Sequence, residues 1–334
     1  MATRPPYTLT PGIVSLVAEI AERVGQLTLA SEDRLRLRRA NRIRTIQGSL
    51  AIEGNTLSEE QITAIVEGKL VIAPPREIQE VRNALSAYER LDHWRPEREA
   101  DLLEAHGILM AGLLEEAGRY RSGGVGVMQG EQVIHMAPPA KRVPELMADL
   151  LDWLATCEEH PLIAGAVFHY EFEFIHPFAD GNGRLGRLWQ TLILSRWRPV
   201  LADLPVESLV HAHQADYYQA IAESTEQTDS APFIQFMLEH ILAACQVNTP
   251  QVTPEVTPQV VRLLAVLDKP MGREALMQAL GLKDAKHFRQ HYLKPAMAAG
   301  LVEMIQPDRP RSPTQQYRVT PAGRRLAQNQ KETP

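Results

Sequence analysis

Residues 175–187 concentrate more chemistry than any other stretch of the chain: an imidazole at His176, a carboxylate at Asp180, a Gly181-Asn182-Gly183 turn, and guanidinium groups at Arg184 and Arg187. Helical spacing resumes from Leu185 to Ser195, so the turn enters a helix. The first N–H groups of a helix have no intrahelical acceptors and point toward one spot. Together with the positive end of the helix dipole they form an anion site, and a nucleotide phosphate is the anion that suits it. Arg184 and Arg187, three residues apart, are expected to project from one side of the new helix toward that anion.

Such a turn must be held by other elements, and the surrounding sequence is overwhelmingly helical. Ile13, Leu16, Val17 and Ile20 recur at helical spacing, then a polar break near Thr28 to Asp33 precedes a second helix through Leu35, Leu37, Ile43, Ile46 and Leu50. The arginines between Arg34 and Arg44 read as a solvated face paired with acids elsewhere rather than as a polyanion site. This helix ends at Glu53-Gly54-Asn55, where Gly54 suits a left-handed closing position. Glu53 then sits at the helix end that disfavours a carboxylate, as a surface residue or as the partner of a cation elsewhere. Ser58-Glu59-Glu60-Gln61 has the capping-box pattern and opens a further helix, expected to run to the break at Pro74-Pro75. Helices are expected over 76–94, 97–116 and 143–156, and downstream over 185–196, 206–224 and 231–246. Residues 125–136 read as a hairpin, two β-prone runs around Gly130, which must lie against the helical body. The run 162–175 fits both periods: Tyr170 to Phe174 alternates like a strand, while Ala164, Phe168, Phe172 and Ile175 keep helical spacing.

The chain has 334 residues, 44% hydrophobic and 23% charged, enough for two or three soluble domains. Cys157 and Cys245 lie in apolar surroundings and read as reduced core thiols. The N-terminus lacks the basic-then-apolar pattern of a signal peptide, and no apolar run approaches the ~18–20 residues that span a bilayer. A cytoplasmic location with no membrane contact is therefore expected. The net charge of −6 is unevenly spread: from Val256 onward 13 Lys+Arg face 6 Asp+Glu (+7), leaving 22 against 35 (−13) elsewhere. Between the two parts, Thr249 to Pro258 repeats a Thr-Pro-x-Val unit that reads as an extended linker. Beyond it, helices over 258–267, 271–280 and 284–299, with Gly281 capping the second, precede strand-like runs at 301–305 and 316–319. That is the winged helix-turn-helix order. Its third helix carries Lys286, His287, Arg289, Gln290 and Lys294, and its wing carries Arg309 and Arg311, a pattern open to DNA or to protein docking.

Three readings of the central stretch weaken on inspection. Gly181-x-Gly183-x-x-Gly186, with Asp203 about twenty residues on, matches a dinucleotide fingerprint but lacks its strand–helix alternation. A metal centre on His169 and His176 lacks a third ligand at metal spacing. A helix cap with a core histidine and surface arginines explains each residue singly but not their crowding.

A fourth reading rests on resemblance. His176-Pro177-Phe178-Ala179-Asp180-Gly181-Asn182-Gly183-Arg184-Leu185-Gly186-Arg187 resembles the Fic signature H-x-F-x-[D/E]-G-N-G-R-x-x-R at every specified position. The hairpin, from Gly118-Arg119-Tyr120-Arg121 to Pro138-Pro139, resembles the family's flap. Ser49-x-x-x-Glu53-Gly54 resembles its inhibitory motif, and a trailing winged helix is also familiar in bacterial members.

The resemblance implies a mostly α-helical core with a β-hairpin flap, N-terminal inhibitory helices and a C-terminal winged helix, which makes 162–175 helical. The domains it suggests are 1–97 with the inhibitory segment, 98–246 as catalytic core, 247–257 as linker and 258–330 as winged helix. The implied activity is transfer of AMP from ATP to a Ser, Thr or Tyr hydroxyl of a target protein, releasing pyrophosphate. His176 would be the general base, since an imidazole pKa near ~6.5 suits proton transfer at neutral pH. Asp180 would hold Mg²⁺. Gly181, Asn182 with its side chain, Gly183, Arg184, Leu185, Gly186 and Arg187 would bind the phosphates, with Tyr218 a wall of the adenine pocket. Phe178 would orient His176, and Val125, Val127, Val133 and Ile134 on the flap would dock the target by strand-like pairing. Glu53, with Ser49, would pair with Arg187 and hold the enzyme inactive. The alternatives implied are removal of AMP, use of another nucleotide, and a DNA-binding regulator whose core is a sensor. A homodimer is the expected assembly.

Overall fold

The computed structural model describes residues 4–29, 34–124, 126–129, 132–248, 258–267, 269–282, 284–298, 301–305, 315–320 and 323–324. Val125, the hairpin turn Gly130-Glu131, the linker from 249 to 257 and the wing residues Arg309 and Arg311 lie outside them. The chain divides into two compact units, 1–249 and 250–334.

In the first unit α1 (Pro11–Leu29) packs on α11 (Ala231–Asn248), and α2 (Arg34–Ile52) packs on α9 (Val206–Ala212). The N-terminal helices and the segment expected as a separate core thus form one unit. Between them run α3 (Glu59–Val66), α4 (Pro75–Glu89), α5 (Glu99–Leu109), α6 (Val143–Thr156), α7 (Pro161–Ile175), α8 (Asn182–Trp197) and α10 (Gln214–Gln227). The expected capping box forms at Ser58 and Gln61. The helix it opens stops at Val66, well short of Pro74, because Gly68 at φ 71° turns the chain. Pro75 is instead the first residue of α4, where its missing N–H costs nothing. The helix expected over 97–116 spans only Glu99–Leu109, and that over 206–224 breaks at His213, whose N–H bonds to the carbonyls of Leu209 and Val210.

Helix α7 resolves the ambiguous run. Leu162 through Tyr170, Phe172, Glu173 and Ile175 are all buried, so the helix has almost no polar face for a helical period to mark. It packs along α8, whose Leu185, Leu188, Trp189 and Leu192 are fully buried. The basic face of α2 pairs outward as expected: Arg38 with Asp203 at 2.8 Å, Arg44 with Glu59 at 3.4 Å and Arg39 with Glu67 at 3.6 Å. The hairpin forms from β1 (Gly126–Gln129) and β2 (Gln132–Met136), antiparallel. Its register slips between Val127 and Met128: Val127 faces His135 and Met128 faces Val133, so Ile134 is the bulged residue.

The second unit has its own core around Leu263, Leu276, Phe288, Tyr292 and Val302. Helices α12 (Pro258–Val266) and α13 (Arg273–Ala279) are followed by a continuous helical run of α14 (Ala285–Phe288), a π-helical turn (Arg289–Leu293) and α15 (Lys294–Ala298). Gly281, at φ 70°, closes the second helix as expected. The expected two-stranded ribbon is a three-stranded sheet in the order β3-β5-β4, with β3 (Met271–Gly272) added to β4 (Val302–Met304) and β5 (Gln316–Val319).

Candidate active site

Helix α7 ends at Ile175, and His176 after it adopts a left-handed backbone at φ 49° and ψ 61°. The signature loop then turns through Gly181, at φ 85°, into α8. A side chain at Gly181 would be strained by that φ and would also meet Met110 Sδ at 2.6 Å. Phe178 is fully buried and stacks on the His106 ring at 3.7 Å between centroids. His106 holds the loop at two points: Nδ1 accepts from the Gly118 N–H at 2.8 Å, and Nε2–H donates to the Asp180 carbonyl at 2.9 Å. Accepting at Nδ1 while donating at Nε2 needs a neutral ring, and burial lowers the His106 pKa to about 4.

The Asn182 side chain is buried, Oδ1 accepting from the Phe178 N–H and Nδ2 donating to the Phe178 carbonyl, each at 2.9 Å. It clamps the loop with one of its two amide N–H groups. Leu185 has its side chain in the core and its N–H bonded to the Gly181 carbonyl. Gly186 lies against Glu173 and His169. The donors that remain for an anion are the N–H groups of the first helical residues, Asn182 to Arg184.

Nor do the two arginines share one partner. Arg184 reaches Asp180 Oδ1 at 2.8 Å and Glu80 Oε1 at 3.4 Å. Arg187, almost wholly buried, donates to Ser49 Oγ at 3.0 Å, to the Ser49 carbonyl at 2.9 Å and to Glu53 Oε1 at 2.7 Å. Burial by itself would lower the Arg187 pKa. The Glu53 carboxylate, with Tyr217 and Glu173, more than reverses this, and the group stands above the ordinary guanidinium range. Glu53 also lies over the start of α8, since a methyl group on Gly183 would strike both Glu53 Oε1 and Arg187 Nη1. The carboxylate thus stands beside the start of α8, bonded to Arg187.

Helix α2 is held in place by more than this pair. Asn41 Nδ2 donates to the Asp203 carbonyl, Ser208 Oγ donates to the Arg44 carbonyl, and Gln214 Nε2 donates to the Ile52 carbonyl. At Gly48 a Cβ would fall 2.5–2.7 Å from backbone atoms of Glu207 and Ser208. A mid-helix glycine costs roughly 0.5–1 kcal/mol relative to alanine, and the close approach of α9 explains its presence. Gly48→Ala is expected to push α2 off α9 at a cost of about 1–3 kcal/mol, lowering the thermal midpoint and loosening the hold on Arg187. Calorimetry would register the first effect and any assay of the site the second.

Below His176 lies Glu173, buried, with its pKa raised to about 8 by burial. Its Oε2 is 3.9 Å from His176 Nδ1. That nitrogen is shielded from solvent. Tyr217 is core and bonds His169 Nε2 at 3.2 Å. Tyr218 is half-buried, its ring 5.4 Å from that of Tyr217, and burial first, then the Glu53 carboxylate, raises its pKa. Asp180 is partly exposed, with Oδ2 3.3 Å from Arg76. Among the described residues no group of three or more His, Cys, Asp or Glu side chains could hold a metal. A lone carboxylate fits a hard cation that completes its shell with phosphate oxygens, as Mg²⁺ does. The flap residues Val127, Val133 and Ile134 are placed here by their backbone pairing alone.

Known proteins resemble the chain in sequence and in fold. Residues 91–194 match the Fic/DOC family, and residues 258–320 match the C-terminal domain of Fic-like proteins, "filamentation induced by cAMP". A Fic family protein from Desulfovibrio desulfuricans G20 is 56% identical, with a TM-score of 0.73 over 96% of this chain and 99% of that one. The chain belongs to the Fic family. Fic-1 of Caenorhabditis elegans superposes with a TM-score of 0.57 at 25% identity, over 70% of this chain and 71% of that one. The protein adenylyltransferase fic-1 of Caenorhabditis briggsae is 35% identical over 59% of this chain, and protein adenylyltransferase Fic of Nematostella vectensis is 33% identical over 58%. The chain spans only 39% and 45% of those two proteins' lengths.

His106, Glu173, Arg76 and Glu80 join this Fic site without having been singled out by the sequence. His106 lies far upstream with no local pattern to mark it. Glu173 showed only as one member of an apparent strand alternation.

Proposed function

We propose that the chain is a protein adenylyltransferase that holds itself inactive through Glu53. The observation that supports the reading is the convergence of the signature on one helix start, with His176 capping the preceding helix, Asn182 to Arg184 opening the next, and the Glu53 carboxylate bonded to Arg187 beside Gly183. In the reaction, the target hydroxyl oxygen attacks the α-phosphorus of ATP. An O–P bond forms, the bond from that phosphorus to the bridging oxygen breaks, and pyrophosphate leaves with the electron pair. The hydroxyl proton passes to His176 Nε2. Asp180 would hold Mg²⁺, which supplies charge neutralisation when bound with the nucleotide. Arg184 and Arg187 bear on the phosphates, Arg187 only once Glu53 has left it, and Tyr218 borders the adenine. The flap takes an extended target segment by backbone pairing, which tolerates many sequences.

The assay for this reading is incubation with Mg²⁺ and ATP labelled at the α-phosphate. The protein is expected to take up label as pyrophosphate is released. Uptake from the γ-position, or preference for another nucleoside triphosphate, would overturn it. Loss of AMP from an adenylylated protein, faster with Glu53 present than absent, would favour the hydrolytic direction, in which Glu53 positions a water. The proposed setting is the cytoplasm, where ATP is abundant, and a homodimer is the proposed assembly. No helix among the described residues is long and apolar enough to cross a membrane.

A second reading, duplex DNA as a partner of the C-terminal unit, is favoured by one observation. Lys286, His287, Arg289, Gln290, His291 and Lys294 are all exposed on the third helical run, and residues 285–298 contain no Asp or Glu. A mobility shift that weakens with salt, survives His176→Ala and disappears on truncation near residue 250 is the expected result. A shift that persists after truncation would exclude this surface.

A further inference from the structure

Arg121 stands apart from every other arginine near the site. It is buried, and among the described residues no carboxylate pairs with it. Its guanidinium is spent instead on backbone carbonyls. Nε donates to the His176 carbonyl at 2.7 Å and Nη2 to that of Ile175 at 3.2 Å. Nη2 also donates to the Pro138 carbonyl at 2.6 Å, and Nη1 to that of Gly123 at 2.9 Å. Its own N–H donates to the Pro177 carbonyl at 2.9 Å. A buried cation without a counter-ion is costly unless its donors are satisfied, and here they are met by dipoles alone.

The positions of those carbonyls matter more than their number. Gly123 stands just before β1 and Pro138 just after β2, so they are the two feet of the hairpin. Ile175 and His176 are the end of α7 and the left-handed residue that follows it. One side chain therefore ties both feet of the flap to the backbone of the proposed base. Two strands by themselves are marginally stable and hold no fixed place. Their placement relative to His176 has to come from their feet.

We propose that Arg121 is a positioning residue, fixing the flap against His176 so that a target hydroxyl laid along the flap meets the imidazole in line with the α-phosphorus. The proposal rests on the transferase reading and extends it to a residue outside the signature. A guanidinium is required because its rigid fork reaches carbonyls in two directions, whereas an ammonium is a compact point charge. The phosphate-binding residues 181–187 make none of these bonds, so nucleotide affinity is separable from transfer.

The test uses the full chain carrying Glu53→Gly, with ATP labelled at the α-phosphate. Arg121→Lys and Arg121→Gln are each added to it, and two quantities are read: the ATP dissociation constant and the labelling rate at saturating ATP. The ATP constant is expected to stay within about threefold, while the rate falls roughly 10- to 100-fold, as a small misplacement of reacting groups would give. A labelling rate unchanged in Arg121→Lys would overturn the proposal. So would parallel loss of ATP binding and labelling, or failure of both variants to fold, because either result would assign Arg121 to holding the structure together. Label absent from Glu53→Gly itself would overturn the transferase reading, a result distinct from label present there and unchanged in Arg121→Lys.

Discussion

Glu53→Gly is expected to raise the labelling rate by about ten- to a hundredfold over the unmodified chain, because the contact it removes is a charge-assisted bond to a buried arginine. Such bonds are worth about 1.5–3 kcal/mol, and each ~1.4 kcal/mol is tenfold in a population. The Glu53 side chain keeps 30% of its exposure while Arg187 keeps 2%. The pair is therefore screened from one side only, and the lower end of that range is the safer figure. Two consequences of the substitution act in the same direction. The start of α8 loses the carboxylate that lies over Gly183, and Arg187 keeps its two Ser49 bonds while its outer N–H is freed for a phosphate. Initial rates at saturating ATP measure the effect. Equal rates would mean that Glu53 does not limit the site.

His176→Ala is expected to reduce labelling by about 10²- to 10⁴-fold, the usual contribution of a positioned general base. Its effect on ATP binding should be small, since the phosphate donors belong to the start of α8. The substitution removes a side chain that is 18% exposed, so the cost to packing is limited. The backbone is a separate matter: position 176 sits at φ 49°, where alanine is no better suited than histidine. Comparing His176→Ala with His176→Asn, which tolerates that conformation better, separates lost chemistry from backbone strain. Both should be inactive, and recovery of labelling in His176→Asn would argue against His176 as base.

The signature region was legible because its chemistry is local. Gly181 must take a positive φ, the turn must enter a helix, and one helix start must collect the anion donors; all three follow from residue types at short spacing. The partner of Glu53 was legible only through resemblance, since 134 residues separate it from Arg187. What spacing could not convey was direction. The Asn182 amide turns to the Phe178 backbone four residues earlier, a clamp that spacing alone does not show. Arg184 and Arg187 looked alike, yet one turns to Asp180 and Glu80 and the other to Ser49 and Glu53. His106 and Arg121 act on the loop from other segments through backbone carbonyls, which carry no side-chain signature to read. In the fold, breaks were missed where a single residue does the work. Gly68 ends α3 before any proline, and His213 divides α9 from α10 with neither Gly nor Pro. Helix α7 defeated the period count because nearly all of its faces are buried.

Whether Glu53 acts on the site through Arg187 is decided by a double-mutant cycle on labelling rate: the unmodified chain, Glu53→Gly, Arg187→Ala and the two together. Glu53→Gly is expected to gain about tenfold or more when Arg187 is present, and nothing when Arg187 is alanine. The same gain in both backgrounds would show that Glu53 works by a route that does not pass through Arg187.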